Sequence, residues 1–326
     1  MSRTPTPARP KPAPRYAALA AVLAGFAATG VSADTLAQPK DSSLERAAAN
    51  YIRYREDVAA VEALPFNSAD ITREAHRRLG AHDPTALSGG WVAYAALVAA
   101  DTPEFADALK KELRNDRKRA KFMAEIASDP SYPRKLNGAD KAIEKVLAMT
   151  MSDSARIVAL GETFKSQAYA MQKTKWGKQR ISSSQERIKE VSNYQSNRGA
   201  PPEPGFKPAS KDGVVEPSLA SASGQWGADW GATAPAAHMS EKNAQVIIDR
   251  VLNLAARYSA GSLNEKTVAV YAKNNKSDRC LSMAKLTLDQ CIAATRTPYE
   301  EAFCLGEHAL NDVASCVSWV GDDGAS

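Results

Sequence analysis

The first 279 residues of this chain contain no cysteine, and the next 37 contain four: Cys280, Cys291, Cys304 and Cys316. Helical patterning surrounds them, over 278–294 and 298–319, with a tight turn near Arg296. Thr297-Pro298-Tyr299-Glu300 marks the start of the second helix, a capping box with proline at the first helical position. So short a connection makes the two helices antiparallel neighbours. Cys291 with Cys304, and Cys280 with Cys316, are then centred on almost the same point of the turn. Joining Cys280 to Cys291 would bridge about 16 Å along one helix, against a limit of ~7 Å between bridged Cα atoms. The crossed pairing, Cys280 with Cys304 and Cys291 with Cys316, is mismatched by about three turns. The nested pairing is the expectation, Cys291–Cys304 inside and Cys280–Cys316 outside.

One detail fits regular helices imperfectly. The step from Cys280 to Cys291 returns almost to the same helix face, whereas the step from Cys304 to Cys316 misses by about 120°. One end of the second helix should therefore be frayed, overwound or irregular. The arrangement resembles the twin-cysteine helical hairpins of the coiled-coil-helix family, with a wider cysteine spacing. That likeness is architectural and implies no activity.

The compartment follows from the N-terminus. Arg3, Arg9, Lys11 and Arg15 form a basic start without acids, Ala17 to Gly30 is apolar, and Val31-Ser32-Ala33 supplies the small residues a signal peptidase reads. The expectation is a signal peptide over 1–33, cleaved after Ala33. The apolar run is shorter than the ~20 residues a membrane span needs, and no other segment approaches that length. Even-numbered, clustered cysteines in an exported chain read as disulfides. The leader also holds four of the five net positive charges. The basic balance of the whole chain therefore gives no reason to expect a nucleic-acid partner.

Between the leader and the cysteines the periodicity is helical nearly everywhere. Leu44, Ala48, Tyr51, Val58, Val61 and Leu64 form one stripe, and Ile157, Leu160, Phe164, Ala168 and Met171 another. Six or seven helices are expected between 42 and 196, with breaks at Pro65, at 82–84, at 128–133 and at Met151-Ser152-Asp153. Thr102-Pro103-Glu104 should open a long helix. From 197 to 238 proline and glycine dominate, which reads as a flexible linker. It contains the tandem Trp226 and Trp230, a candidate recognition element or a segment that docks on its own protein. Helical patterning then resumes, with Ser240 capping a run through Ile247, Val251, Leu254 and Tyr258, and Ser262 to Glu265 forming a capping box. The fold class expected is all-α: a helical bundle domain over 34–196, the linker, a small disulfide-stapled helical hairpin domain over 239–320, and a disordered tail over 321–326.

The stretches "LGETFKSQAYAMQKTKWGK", from Leu160, and "YEEAFCLGEHALNDVASC", from Tyr299, resemble uncharacterised exported all-helical proteins of alphaproteobacteria. The resemblance implies export and supplies no site.

Motifs for chemistry are sparse. Ser282 and Lys285 match Ser-x-x-Lys, but the Lys-Thr-Gly strand and mixed sheet that accompany it in penicillin-recognising enzymes are missing from the pattern. His308 with Asp312 reads as a hydrogen-bonded pair rather than half a metal site. His76 and His82 straddle a helix end, where a cationic imidazole suits the dipole. Glu162 alone is no signal for a glycosidase acid. No catalytic residue, metal ligand or cofactor is therefore expected. The run 110–121 holds seven basic and two acidic residues. Its Lys110, Lys111, Arg117, Lys118, Arg119 and Lys121 are candidate contacts for an anionic polymer. Lys173, Lys175, Lys178 and Arg180 make a second patch near Trp176. The expectation is a soluble periplasmic or secreted protein of the cell envelope. It would bind or scaffold an anionic envelope polymer or another envelope protein without enzymatic activity. The alternative is an envelope hydrolase acting on peptidoglycan through carboxylates the sequence does not single out.

Overall fold

Residues 42–201, 209–211, 214–216, 238–240 and 242–322 are described by the computed structural model of the protein. The expected leader, Trp226 and Trp230 lie outside them. The fold is all-α, as expected. Among the described residues seven α-helices precede the proline-rich region: α1 (Ser43–Glu62), α2 (Asp70–Leu79), α3 (Pro84–Ala100), α4 (Pro103–Leu113), α5 (Asp116–Ser128), α6 (Ala139–Met171) and α7 (Ser184–Arg198). After it come α8 (Lys242–Ser259), α9 (Glu265–Tyr271), α10 (Asn275–Ala294) and a final rod. The rod consists of α11 (Pro298–Cys304), a π-helical stretch (Leu305–Asn311) and α12 (Asp312–Ser318).

The hub is α3. Asp83 caps it by accepting the Ala86 N–H at 2.8 Å, and Pro84 sits at its first position. From Trp91 to Ala100 every residue is buried. A helix apolar on all sides must be surrounded, and α1, α6, α8 and α10 surround this one. Its many alanines keep the neighbouring axes close. Leu44, Tyr51 and Val58 of α1, Ile157 and Phe164 of α6, Ile248 and Val251 of α8, Leu288 of α10, and Leu305 and Leu310 of the rod all belong to one hydrophobic cluster. Residues from both sides of the proline-rich region thus share a core. The expected division into a bundle domain and a separately cored hairpin domain is not confirmed.

Several local expectations are corrected. No break occurs at Met151-Ser152-Asp153, which lies inside the 33 residues of α6. The polar side chains there bond across the core instead of turning the chain. Asp153 accepts the Tyr51 hydroxyl at 2.8 Å, and the Ser154 hydroxyl donates to the Ala314 carbonyl at 3.4 Å. The long helix expected from Thr102 is two, because Asn115 starts a new one by capping the Lys118 N–H. Asn264, not Ser262, caps α9. The Ser240 hydroxyl donates to the Trp319 carbonyl. Within the expected linker, β1 (Ala209–Lys211) pairs antiparallel with β2 (Val214–Glu216), and Val214 and Val215 are buried in the core. Gly321 and Asp322, expected in a disordered tail, form β4 (Gly321–Asp322) against β3 (His238–Met239). The fully buried Val320 anchors that end.

The cysteines pair as expected. Cys291–Cys304 and Cys280–Cys316 have Cα separations of 5.7 and 5.4 Å. The helical phase defect is resolved by the π-helical stretch, which lies between Cys304 and Cys316. Seven residues turning by about 80° each instead of 100° remove roughly 140° of rotation, close to the misfit of about 120°. The irregularity is therefore an underwinding, in mid-rod rather than at an end. The stretch lies along α6, where Gly161 and Gly306 meet. A Cβ on Gly306 would come 2.6 Å from the Gly161 carbonyl oxygen, and one on Gly161 would come 2.9 Å from the Gly306 carbonyl. Only glycine allows the two backbones this approach.

The phase argument predicts opposite outcomes for two variants. Deleting His308 gives Cys304 and Cys316 the same separation as Cys280 and Cys291, which a regular helix satisfies. Both bridges should still form. Inserting one alanine after His308 should block the Cys280–Cys316 bridge. Non-reducing peptide mapping reads both; an outer bridge forming equally well in the two would contradict the explanation.

Candidate functional site

The basic run 110–121 forms an elbow where α4 meets α5. Lys110 and Lys111 occupy the last turn of α4, where the helix dipole favours cations. Arg117, Lys118 and Arg119 crowd the first turn of α5, where it disfavours them, and Lys121 follows in the second. Two of the six candidates have structural partners. Lys110 lies 3.5 Å from Asp107. Arg119 turns inward and donates to the Ala260 carbonyl at 2.9 Å, just beyond the C-terminus of α8. It thereby ties the elbow to a helix from beyond the proline-rich region. Lys111, Arg117, Lys118 and Lys121, together with Arg114, make no ion pair among the described residues. Uncompensated cations at a helix N-terminus are a small cost that folding does not explain.

The second patch sits on the connection between α6 and α7. Lys173, Lys175, Lys178 and Arg180 are exposed, while Trp176 packs partly buried against the core. Backbone bonds from Ile181 to the Arg296 carbonyl at 3.1 Å, and from Tyr299 to the Gly177 carbonyl at 3.3 Å, pin this connection to the hairpin turn. Arg296 is thereby brought beside the patch. Nothing in the local sequence of either segment signals that pairing.

Other ionisable groups form buried networks that hold helices together. Arg187 of α7 donates to Glu301 at 2.8 Å and to Thr295 Oγ1 at 2.9 Å. It also donates to the Ile292 and Thr295 carbonyls at 3.3 and 3.2 Å, closing the C-terminus of α10. The Thr72 hydroxyl donates to Glu301 at 2.7 Å. His76 packs beside this pair, with its Nδ1 3.8 Å from Glu301. Burial, helped by the charges of Arg187 and Lys285, pushes His76 down to about 4. It is a neutral core residue at pH 7, not the cationic helix cap the sequence suggested. His82 does not cap the helix either: its Nε2 lies 2.8 Å from the buried carboxylate of Asp57. The Glu301 network links residues more than a hundred positions apart, so local sequence patterns carry no trace of it.

The remaining candidates are placed as follows. His308 Nδ1 lies 2.8 Å from Asp312 Oδ2, the hydrogen-bonded pair expected. Lys285 donates to the Gly80 carbonyl at 2.9 Å. Glu162 is exposed and accepts from Asn311 at 2.8 Å and Lys165 at 3.1 Å. Those two donors hold its carboxyl below the usual range, opposite to what a general acid needs. No group of three or more His, Cys, Asp or Glu residues suited to a metal ion occurs among the described residues. No helix among them is long and apolar enough to cross a membrane.

No protein-family model, curated protein or solved structure matches the chain.

Proposed function

We propose that this is an exported protein of the cell envelope that binds an anionic envelope polymer through the α4–α5 elbow, without chemically altering it. The observation that carries the reading is the set of solvent-facing cations Lys111, Arg114, Arg117, Lys118 and Lys121. They lack ion-pair partners among the described residues, and two of them, Arg117 and Lys118, stand in the first turn of α5, where the helix dipole opposes them. Two disulfides suit an oxidising compartment, and the basic, apolar and small-residue order of the first 33 residues suits export. The body of α4 and α5 is held by Phe105, Leu109, Leu113, Phe122 and Ile126, all buried, so the elbow is presented on a fixed support.

Such binding is electrostatic and should be screened by salt. Retention of the protein on an envelope fraction should drop several-fold between about 50 mM and 0.5 M salt. The variant Lys111→Glu, Arg117→Glu, Lys121→Glu should lose about tenfold at the lower salt, with unchanged thermal stability. Retention that survives high salt, or that the triple variant keeps, would refute the reading. A cleared band in a zymogram on cell-wall material would replace binding with hydrolysis.

A further inference from the structure

A separate cleft of about 290 Å³ lies away from the elbow, where α1, the start of α3 and the end of α7 meet. Arg46 and Arg53 of α1, Arg198 of α7, His82 and Asp83 line it. Asp57, 1 % exposed, organises the wall. Its Oδ2 meets His82 Nε2 at 2.8 Å and Arg198 at 2.5 Å, and its Oδ1 accepts from Arg78 at 3.2 Å. Burial alone would raise the Asp57 carboxyl, but the bonds from His82 and Arg198 outweigh it and hold it below the usual range.

This fixes the state of His82. An ionised carboxylate only accepts, so the ring hydrogen must sit on Nε2. Burial, with the Arg198 and Arg53 charges, opposes a second proton and outweighs the pull of Asp57. The neutral ring therefore carries a bare lone pair on Nδ1. The side chain is nine-tenths buried, 10 % exposed, and meets the Tyr54 ring edge-on at 5.2 Å. Nδ1 makes no hydrogen bond among the described residues. The cleft thus offers three guanidinium groups and one oriented acceptor. Arg53 is held in place by the Gly199 and Ala200 carbonyls, both at 2.8 Å. Arg46 is exposed and anchored to the Ser42 hydroxyl at 2.7 Å.

We propose that this cleft binds a small hydroxylated oxyanion of the sugar-phosphate class. Its anionic group would face Arg46, Arg53 and Arg198, and its hydroxyl would donate to His82 Nδ1. A bare anion satisfies the arginines but offers no donor to the imidazole. A bare polyol does the reverse. The volume is at the small end of ligand pockets, which suits a single such unit rather than a chain. The site shares no residue with the elbow and stands or falls independently of it.

Glycerol 3-phosphate, sulfate and glycerol are the probes, titrated calorimetrically into the full chain. Glycerol 3-phosphate should bind at least about tenfold tighter than sulfate, which carries no hydroxyl, the discrimination expected of a site built to accept a hydroxyl hydrogen. Glycerol should not bind measurably. Arg46→Ala should weaken both anions by the same factor, and the Lys111→Glu, Arg117→Glu, Lys121→Glu variant should weaken neither. In the wild-type protein the ¹⁵N resonance of His82 Nδ1 should move with glycerol 3-phosphate and stay still with sulfate. This readout needs no substitution near Asp57. Absence of saturable binding, or equal affinity for the two anions with Nδ1 unmoved, would overturn the proposal.

Discussion

Arg187→Met should lower the unfolding free energy by about 3–5 kcal/mol, the range for leaving one partner of a buried ion pair alone. Arg187 and Glu301 are respectively 3 % and 1 % exposed at the side chain, so solvent cannot compensate the loss. Without the guanidinium, Glu301 keeps only the Thr72 hydroxyl as a donor, since His76 is neutral and 3.8 Å away. The Thr295 carbonyl loses the Arg187 donor in the same step, while the Ile292 carbonyl keeps the Thr295 N–H and hydroxyl. Adding Glu301→Leu to Arg187→Met should recover much of the loss, because an apolar pair of similar size needs no desolvated charge. Urea denaturation of the two single variants and the double variant reads this directly. A cost below about 1 kcal/mol for Arg187→Met would mean the pair is not sealed from water.

The second large effect concerns the outer disulfide. Replacing Cys280 and Cys316 by alanine should cost about 2–4 kcal/mol of stability. The outer bridge spans 36 residues and the inner one 13, with the inner loop nested inside the outer. With the inner bridge intact, the outer one closes only the part of the loop the inner has not already closed. Losing both bridges should therefore cost more than the sum of the two single losses. Cys316 is 1 % exposed against the core, so its replacement also leaves a small void. The loss should appear equally in near-ultraviolet and far-ultraviolet melts, because the hairpin packs on α6 and α3 rather than melting alone. A hairpin that melts first, with the rest of the helices intact, would contradict that.

The cysteine pairing was legible because antiparallel helices turn covalent geometry into arithmetic on positions. Even the flaw in that arithmetic was legible: the misfit from Cys304 to Cys316 calls for an irregular helix, and a π-helical stretch lies there. Stripes such as Ile157, Leu160, Phe164, Ala168 and Met171 were readable for the same reason, since burial repeats with the helix. Polar residues misled where their partners are distant. Met151-Ser152-Asp153 has the composition of a break, but Asp153 is committed to Tyr51 and Arg55 on α1. Proline and glycine counts from 197 to 238 hid a small signal. Asp212-Gly213 between short β-prone segments is a hairpin cue, and Val214 and Val215 beside it reach the core. The elbow was legible as a charge run. What a run cannot say is which member turns inward, and Arg119 does because the Ala260 carbonyl waits there.

The shared core of the segments before and after the proline-rich region is the premise of the proposed elbow function, since Arg119 braces the elbow on α8. A protease site placed between residues 217 and 237 tests it most directly. After cleavage the two fragments, which no disulfide joins, should elute together on native size exclusion. They should unfold in one transition and keep their envelope binding. Fragments that separate without denaturant, each retaining its own helicity, would contradict a common core.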